Sequence, residues 1–246
     1  MKSISPGTAD PLLERLSNTP AASVLPFAPS SHRCLHLDLS ATNHALGDID
    51  SINPVSFGTW IEAQRRAAGA DYAAGGYAED RPLYSNSPTF VSDPADPESA
   101  RTLHLGVDLW LATATPVFSA LPGRIHSAQD NAGDHDYGPT LILEHCLDNQ
   151  TFYCLYGHLA RRSLTLHKVG DTVAAGDRLG WLGAINENGG WPAHLHFQII
   201  RELDGHHGDF PGVCRPSERA QWLHRCPDPN HLLRIDALRA PPGSTQ

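Results

Sequence analysis

The chain has 246 residues and a net charge of −9, with no block of Lys or Arg. Nucleic acids and anionic membranes bind to clustered positive charge, so neither is an expected partner. The 21 Gly and 20 Pro residues favour a turn-rich, strand-rich chain over a helical bundle.

The N-terminal residues predict a cytoplasmic protein. Pro6, Asp10, Pro11 and Glu14 interrupt the first twenty residues, which lack the apolar core of a signal peptide. No later stretch is long and apolar enough to predict a transmembrane helix. The five cysteines are irregularly spaced, and in the cytoplasm we expect them to be reduced thiols.

The N-terminal third combines one strand, one helix and a long loop. Residues 33–40 alternate with a period of two, which predicts a strand with three leucines on one face. A helix follows from the helical spacing of Phe57, Trp60, Ile61 and Gln64. Residues 69–98 are rich in Gly and Pro and are predicted as a loop.

The region from 101 to 200 has a different pattern. Short apolar stretches alternate with turn residues, which predicts a mainly β fold with an antiparallel sheet, of the barrel or sandwich kind. Residues 141–143 and 152–156 flank Asp148 and Asn149, and this arrangement is typical of a β-hairpin.

The C-terminal part adds a short helix, for which Ser217 is the predicted cap and which ends before Pro227. These patterns divide the chain into three parts. They are an N-terminal extension (1–95) expected to pack on or near the active site, a β domain with a C-terminal extension (96–235), and a tail predicted to be disordered (236–246).

Two spacings indicate a metal site. In a straight strand His104 and Asp108 would lie about 13 Å apart, whereas one zinc ion needs each donor atom at about 2 Å. The strand must therefore bend, and Gly106 is the residue that permits a bend. His194 and His196 share one face of a later strand, about 6–7 Å apart.

Three motifs occur in order: H-x-x-x-D at His104, Y-x-H at Tyr156, and H-L-H-F at His194. Together they resemble the motifs of the lysostaphin/LytM-type zinc peptidase family. The resemblance implies one Zn²⁺ per chain, with the ligands His104, Asp108 and His196. It also implies a catalytic pair, which is His158 and His194.

Two histidines and one carboxylate would leave a fourth zinc position open for water. The resemblance therefore implies a zinc metallopeptidase or amidase that hydrolyses a peptide or amide bond. Which of His158 and His194 acts as the base, and which stabilises the oxyanion, is left open. Glu144 and His145 are either hydrogen-bond partners of such an imidazole or ordinary strand residues.

The sequence departs from the family pattern in residues 186–193 and at Gln198, where Glu is common. Several short segments of the sequence resemble those of a subgroup of the family that is fused to kinase-like and class-III aminotransferase-like domains. We therefore expect a peptide or amino-acid amide as substrate, with a peptidoglycan peptide, the usual family substrate, as the other possibility. Arg81 and Trp191 are the predicted substrate contacts.

Three alternatives differ in class. A non-catalytic, regulatory relative of the family would lack site residues, and here all five are present. A lipoyl- or biotinyl-type carrier needs a lysine at a hairpin tip, usually beside Met, and the only Met is Met1. A structural zinc at Cys214 and Cys226 lacks the C-x-x-C spacing that such sites use.

Overall fold

A computed structural model describes residues 10–46 and 53–239 of the chain. Its strands, in chain order, are β1 (Cys34–His36), β2 (Tyr72–Gly75), β3 (Leu103–His104), β4 (Val107–Trp110), β5 (Pro116–Phe118), β6 (Gly123–Asn131), β7 (Gly138–Leu147), β8 (Gln150–Gly157), β9 (Thr172–Val173), β10 (Arg178–Trp181), β11 (His194–Ile200) and β12 (Val213–Cys214). The helices are α1 (Pro11–Asn18), α2 (Pro54–Ala67), α3 (Arg219–Arg225) and α4 (Asn230–Leu233).

Eight of the strands form one sheet in the order β1-β2-β4-β11-β8-β7-β6-β9. Every pairing in this sheet is antiparallel except that of β1 with β2. Two small sheets pair β10 with β5 and β12 with β3. The prediction of a mainly β fold with an antiparallel sheet is confirmed. In the described ranges, no helix is both long and apolar enough to cross a membrane.

The central strand β11 separates the hydrophobic core from a polar face. Its alternating apolar residues all belong to the main core: Leu195, Phe197 and Ile199. The residues between them carry polar side chains and are also buried: His194, His196 and Gln198. Successive side chains of a strand point to opposite faces, so the three polar residues lie together on the other side of the sheet.

The predicted bend at Gly106 is a break between two strands. A Cβ atom at this position would lie 2.6 Å from the His196 ring and 2.9 Å from the Phe197 carbonyl oxygen, so no side chain fits. Before the break β3 pairs with β12, and after it β4 pairs with β2 and β11. The apolar residues on either side of the break consequently pack in different clusters.

The predicted hairpin is confirmed. Strands β7 and β8 pair up to Leu147 and Gln150, and Asp148 and Asn149 form the turn with φ of 48° and 63°. Two consecutive left-handed residues are characteristic of the turn that suits the twist of paired strands.

The N-terminal third contains both predicted elements and one that the sequence did not indicate. Strand β1 lies within residues 33–40, and α2 includes the predicted helical residues. Residues 69–98, predicted as a loop, also form β2, which pairs with β1 and β4. The sequence Tyr-Ala-Ala-Gly of β2 neither alternates nor contains a β-branched residue, so only its neighbours make it a strand.

Two C-terminal predictions are corrected. Helix α3 begins at Arg219 and has no side-chain cap, so Ser217 does not cap it. The tail was predicted to be disordered from residue 236, but Asp236–Arg239 form a 3₁₀ turn in which Ala237 is buried against the main core. Residues 240–246 lie outside the described ranges, as do 1–9 and 47–52.

Helix α1 is part of the hydrophobic core. Asp10 caps it by accepting a hydrogen bond from the Leu12 amide, and Leu12 and Leu16 have no exposed surface. Both leucines pack in the cluster that covers the core face of the central strands. The helix therefore stabilises the sheet, although it lies more than eighty residues before β3.

We expect Leu16→Ala to lower the free energy of unfolding by about 2–5 kcal/mol, since it removes a fully buried side chain from the core. Urea unfolding followed by circular dichroism would measure the change. The exposed Glu14 of the same helix provides the control, and Glu14→Ala should change stability by no more than about 0.5 kcal/mol. Equal stabilities of the two variants would contradict the placement of α1 in the core.

Candidate metal centre

The register of the sheet places Asp108 beside His196. The two residues are direct partners in the antiparallel pairing of β4 with β11. On its other side, His196 is the partner of Gly157, the last residue of β8. His158 follows immediately, so that all three strands bring a polar side chain to one place.

His104 reaches the same place from β3, the strand that precedes the interruption at Gly106. Its Nδ1–H donates to the carbonyl oxygen of Gly76 at 2.9 Å, which leaves Nε2 directed at the other residues. This Nε2 lies 3.0 Å from His196 Nδ1 and 3.4 Å from Asp108 Oδ1. The distance from His196 Nδ1 to Asp108 Oδ1 is 3.1 Å.

These three donor atoms have the spacing that a zinc ion requires. Ligand atoms at about 2.0–2.2 Å in a tetrahedral arrangement lie roughly 3.3–3.5 Å from one another. Two of the observed separations, 3.0 and 3.1 Å, are slightly shorter, the third is 3.4 Å, and all three residues are buried. Two imidazoles and one carboxylate are also a donor set that suits zinc. The three residues therefore fit a zinc ion in both spacing and chemistry.

The ionisation states are those of metal ligands. Burial, followed by the positive charge of Arg81, lowers the pKa of His104 to about 4, so the imidazole is neutral and able to donate a lone pair. Burial opposes the ionisation of Asp108, but the positive charge of Arg81, which donates to its Oδ2, helps to hold the pKa of the carboxyl well below the usual range.

The imidazole of His196 is fixed by Gln198, the residue at which the sequence departs from the family pattern. Its Nε2–H donates to Gln198 Oε1 at 2.8 Å, so Nδ1 is the free nitrogen. The amide of Gln198 donates in turn to the Pro211 carbonyl oxygen at 3.1 Å, and this contact sets which way the amide points. Gln198 therefore does the orienting that a carboxylate could do at this position.

The two predicted catalytic histidines lie next to the three donors. The ring centres of His158 and His194 are 4.2 Å apart, and His194 Nε2 is 3.8 Å from Asp108 Oδ1. In each ring Nδ1–H donates to a backbone carbonyl oxygen, that of Asn188 for His158 (2.8 Å) and that of Pro192 for His194 (2.7 Å). Each Nε2 is therefore the nitrogen with a lone pair.

Burial lowers the pKa of both histidines below the usual value, for His158 well below it and with a further contribution from His194. Both rings are accordingly neutral near pH 7. His158 also adopts a φ of +61°, a left-handed conformation that is uncommon for residues other than glycine.

The structure gives Arg81 a different partner from the one the sequence suggested. We expected its guanidinium to meet a carboxylate of the substrate. Instead the side chain is buried, and it donates to the carboxylates of Glu79 at 2.7 Å and Asp108 at 2.6 Å. The chain itself supplies both carboxylate partners, and contact of Arg81 with a substrate stays a prediction.

Trp191 lies in the wall of a cavity beside the donors. It packs against four aromatic rings, with ring centres at 6.1 Å for Tyr84, 6.4 Å for Phe90, 4.9 Å for His135 and 6.4 Å for His158. The cavity has a volume of about 210 Å³, and His104, Asp108, His158, His194 and His196 also line it. Contact of Trp191 with a substrate stays a prediction.

Sequence reasoning missed several residues that line this cavity or support its wall. His135 was treated as one of many isolated histidines, and Tyr137 only as part of a matching segment, yet both line the cavity. Asn188 is fully buried, and its side chain holds the turn before Trp191 by bonding to the Gly183 and Trp191 backbones. The signal for Asn188 was its place in the segment that departs from the family.

Glu144 and His145 do not take part in the site. Glu144 pairs with Arg124 at 3.0 Å, and His145 donates through Nδ1–H to the Pro122 carbonyl oxygen at 2.9 Å. Both lie near the far end of β7, and neither lines the cavity. Of their two interpretations, the structure supports that of ordinary strand residues.

Among solved structures, the chain is similar to a zinc containing peptidase from Vibrio cholerae, with 22% identity and a TM-score of 0.35. That alignment covers 50% of this chain, which spans only 31% of the Vibrio chain. The catalytic domain of the antimicrobial peptidase lysostaphin from Staphylococcus simulans aligns with 21% identity and a TM-score of 0.37. Here 67% of this chain and 97% of the lysostaphin domain are covered.

No curated protein sequence matches the chain. The family comparison gives a match that is confined to one region. Residues 102–209, which include all three candidate metal ligands and both candidate catalytic histidines, match the model of peptidase family M23, and this match supports a metallopeptidase.

Proposed function

We propose that the chain is a zinc-dependent metallopeptidase or amidase, with one zinc ion held by His104, Asp108 and His196. The observation that carries this proposal is the convergence of three donor atoms within 3.4 Å of one another. Two neutral imidazoles lie beside them in the same cavity. The family match of residues 102–209 supports the same conclusion.

Zinc, when bound, supplies Lewis acidity and lowers the pKa of a coordinated water molecule towards about 7. The chain supplies the proton transfers. The free Nε2 atoms of His158 and His194 can accept the proton of the attacking water and return it to the leaving amine.

The closeness of the two rings limits them to one proton at a time. With ring centres 4.2 Å apart in a buried site, a charge on one imidazole disfavours a charge on the other. This arrangement suits a base that takes one proton and then delivers it, while the neutral partner accepts a hydrogen bond at its Nε2.

The size of the cavity supports a small substrate. A volume of about 210 Å³ accommodates a short peptide or an amino-acid amide, and aromatic side chains from residues 82–90 line it together with Trp191. The family match suggests a peptide or a peptidoglycan as substrate, and we propose the small peptide or amide. The cytoplasmic location and the fused subgroup stay predictions.

We expect the chain to bind about one zinc ion, and His104→Ala, Asp108→Ala and His196→Ala each to lose it, because each removes one of three ligands. Elemental analysis after chelator washing and reloading with zinc would measure the content. His167→Ala is the control, since this half-buried histidine donates to the Arg178 carbonyl oxygen at 2.8 Å and does not line the cavity. An unmodified chain that cannot be loaded would contradict the proposal.

We expect His158→Ala and His194→Ala to keep zinc and to lose hydrolysis by roughly 10²–10⁴-fold, the range for removing a general acid–base group. The reason is that both rings lie outside the set of three donors. Zinc content and turnover of a model peptide would be measured on the same samples. A zinc-free variant of either histidine would instead make that residue a ligand.

We expect faster hydrolysis of di- and tripeptides than of purified peptidoglycan, because the cavity is small and walled on one side by aromatic rings. Equal amounts of zinc-loaded protein would be incubated with each, and newly released amines would be followed. Asp108→Ala serves as the inactive control for contaminating hydrolases. Faster release from peptidoglycan would contradict the proposed substrate class and leave the metal site in place.

A further inference from the structure

The buried side chain of Arg81 joins the N-terminal segment to the metal centre. Only 1% of the residue is exposed, and it lies outside the region that matches the peptidase family. Its Nη1–H donates to Asp108 Oδ2 at 2.6 Å and to the Tyr84 hydroxyl oxygen at 2.8 Å. Its Nε–H donates to Glu79 Oε2 at 2.7 Å.

These contacts give the two carboxylate oxygens of Asp108 different partners. Oδ2 accepts the hydrogen bond from Arg81, whereas Oδ1 faces the imidazoles, at 3.1 Å from His196 Nδ1 and 3.4 Å from His104 Nε2. A planar guanidinium fixes the plane of the carboxylate that it binds more firmly than water can. Only Oδ1 is therefore directed at the position of a metal ion.

The same segment also orients His104. The carbonyl oxygen of Gly76 accepts its Nδ1–H at 2.9 Å, and the backbone there has a φ of +92°. A Cβ atom on this glycine would overlap with the Arg81 guanidinium and the Glu79 carboxylate, so any side chain here would disturb their ion pair. Two of the three donors are thus held by residues that precede the family-matched region.

The charge of Arg81 is offset within the segment. Glu79 pairs with it through Oε2, while Oε1 of the same carboxylate accepts a hydrogen bond from the Leu39 amide at 3.0 Å. A buried arginine between two carboxylates leaves one net negative charge, which favours a cation beside Asp108. The arrangement therefore suits a bound metal ion better than an empty site.

We propose that Arg81 is a positioning residue of the metal centre, one that presents Oδ1 of Asp108 as a single-oxygen ligand and keeps Oδ2 from the metal. The inference rests on the proposed function, since it assumes that His104, Asp108 and His196 bind zinc. It adds that residues 76–84, which the sequence interpretation placed in an extension, are required for that binding.

The test compares zinc binding in four variants. Arg81→Lys keeps the charge but not the planar fork, and Arg81→Gln removes the charge. The double variant Glu79→Gln/Arg81→Gln removes both members of the ion pair, so that no unpaired Glu79 is left buried. Arg101→Gln is the matched control, because this arginine lines the same cavity and has no ion pair within 4 Å in the described part of the chain.

Three measurements are made on each metal-free protein. Circular dichroism with thermal unfolding reports folding, competition with a chromophoric chelator gives the zinc dissociation constant, and the absorption spectrum of the cobalt-loaded form reports coordination. We expect folded Arg81 variants whose zinc dissociation constant rises by about 10- to 100-fold, the usual effect of losing a partner of a metal ligand. The cobalt spectrum should also change as Oδ2 becomes free to bind. Arg101→Gln should match the unmodified chain.

The outcomes separate this inference from the proposed function. An unmodified chain that binds no zinc overturns both. An unmodified chain that binds zinc, together with folded Arg81 variants of the same zinc affinity and cobalt spectrum, overturns only the role of Arg81. If no Arg81 variant folds without metal, the residue is structural, and the positioning role is likewise overturned.

Discussion

The antiparallel pairing of β4 with β11 is the constraint on which the rest of the site depends. It fixes Asp108 opposite His196, while the partner strand β8 ends at Gly157 and leads directly to His158. Since both faces of these central strands are buried, a shift of one residue would move Leu195, Phe197 and Ile199 out of the main core. The hydrophobic core thereby sets the positions of the polar residues on the opposite face.

This placement has an energetic consequence. A carboxylate as buried as that of Asp108 is costly unless charged or polar groups surround it, and an isolated one would give up its charge instead. Arg81 supplies a positive charge at 2.6 Å, and the imidazoles supply further contacts. The protein keeps an ionised carboxylate in its interior, a state that is of use when a cation is to be bound there.

The N-terminal segment supplies the groups that compensate the buried charge of Asp108. Strand β2 extends the sheet beside β4 and ends at Gly75, which is the partner of Asp108. The chain then turns, so that Gly76 accepts a hydrogen bond from His104, and Arg81 reaches Asp108. The aromatic residues that follow, Tyr84 and Phe90, meet Trp191 and form one wall of the cavity. Residues far apart in sequence thus jointly determine the geometry and the size of the site.

The mainly β fold, the hairpin at Asp148 and Asn149, and the bend at Gly106 could be predicted from the sequence, because each depends on spacing or backbone preference within a few residues. Motif order also indicated the set of histidines with Asp108, and the tertiary structure brings that set together. The sequence did not predict that residues 72–75 form a strand, that Arg81 binds Asp108, or that Asn188 holds the turn before Trp191. Those features arise from contacts between distant segments. The energies of such contacts depend on burial and neighbouring charge, so no local pattern of residues predicts them.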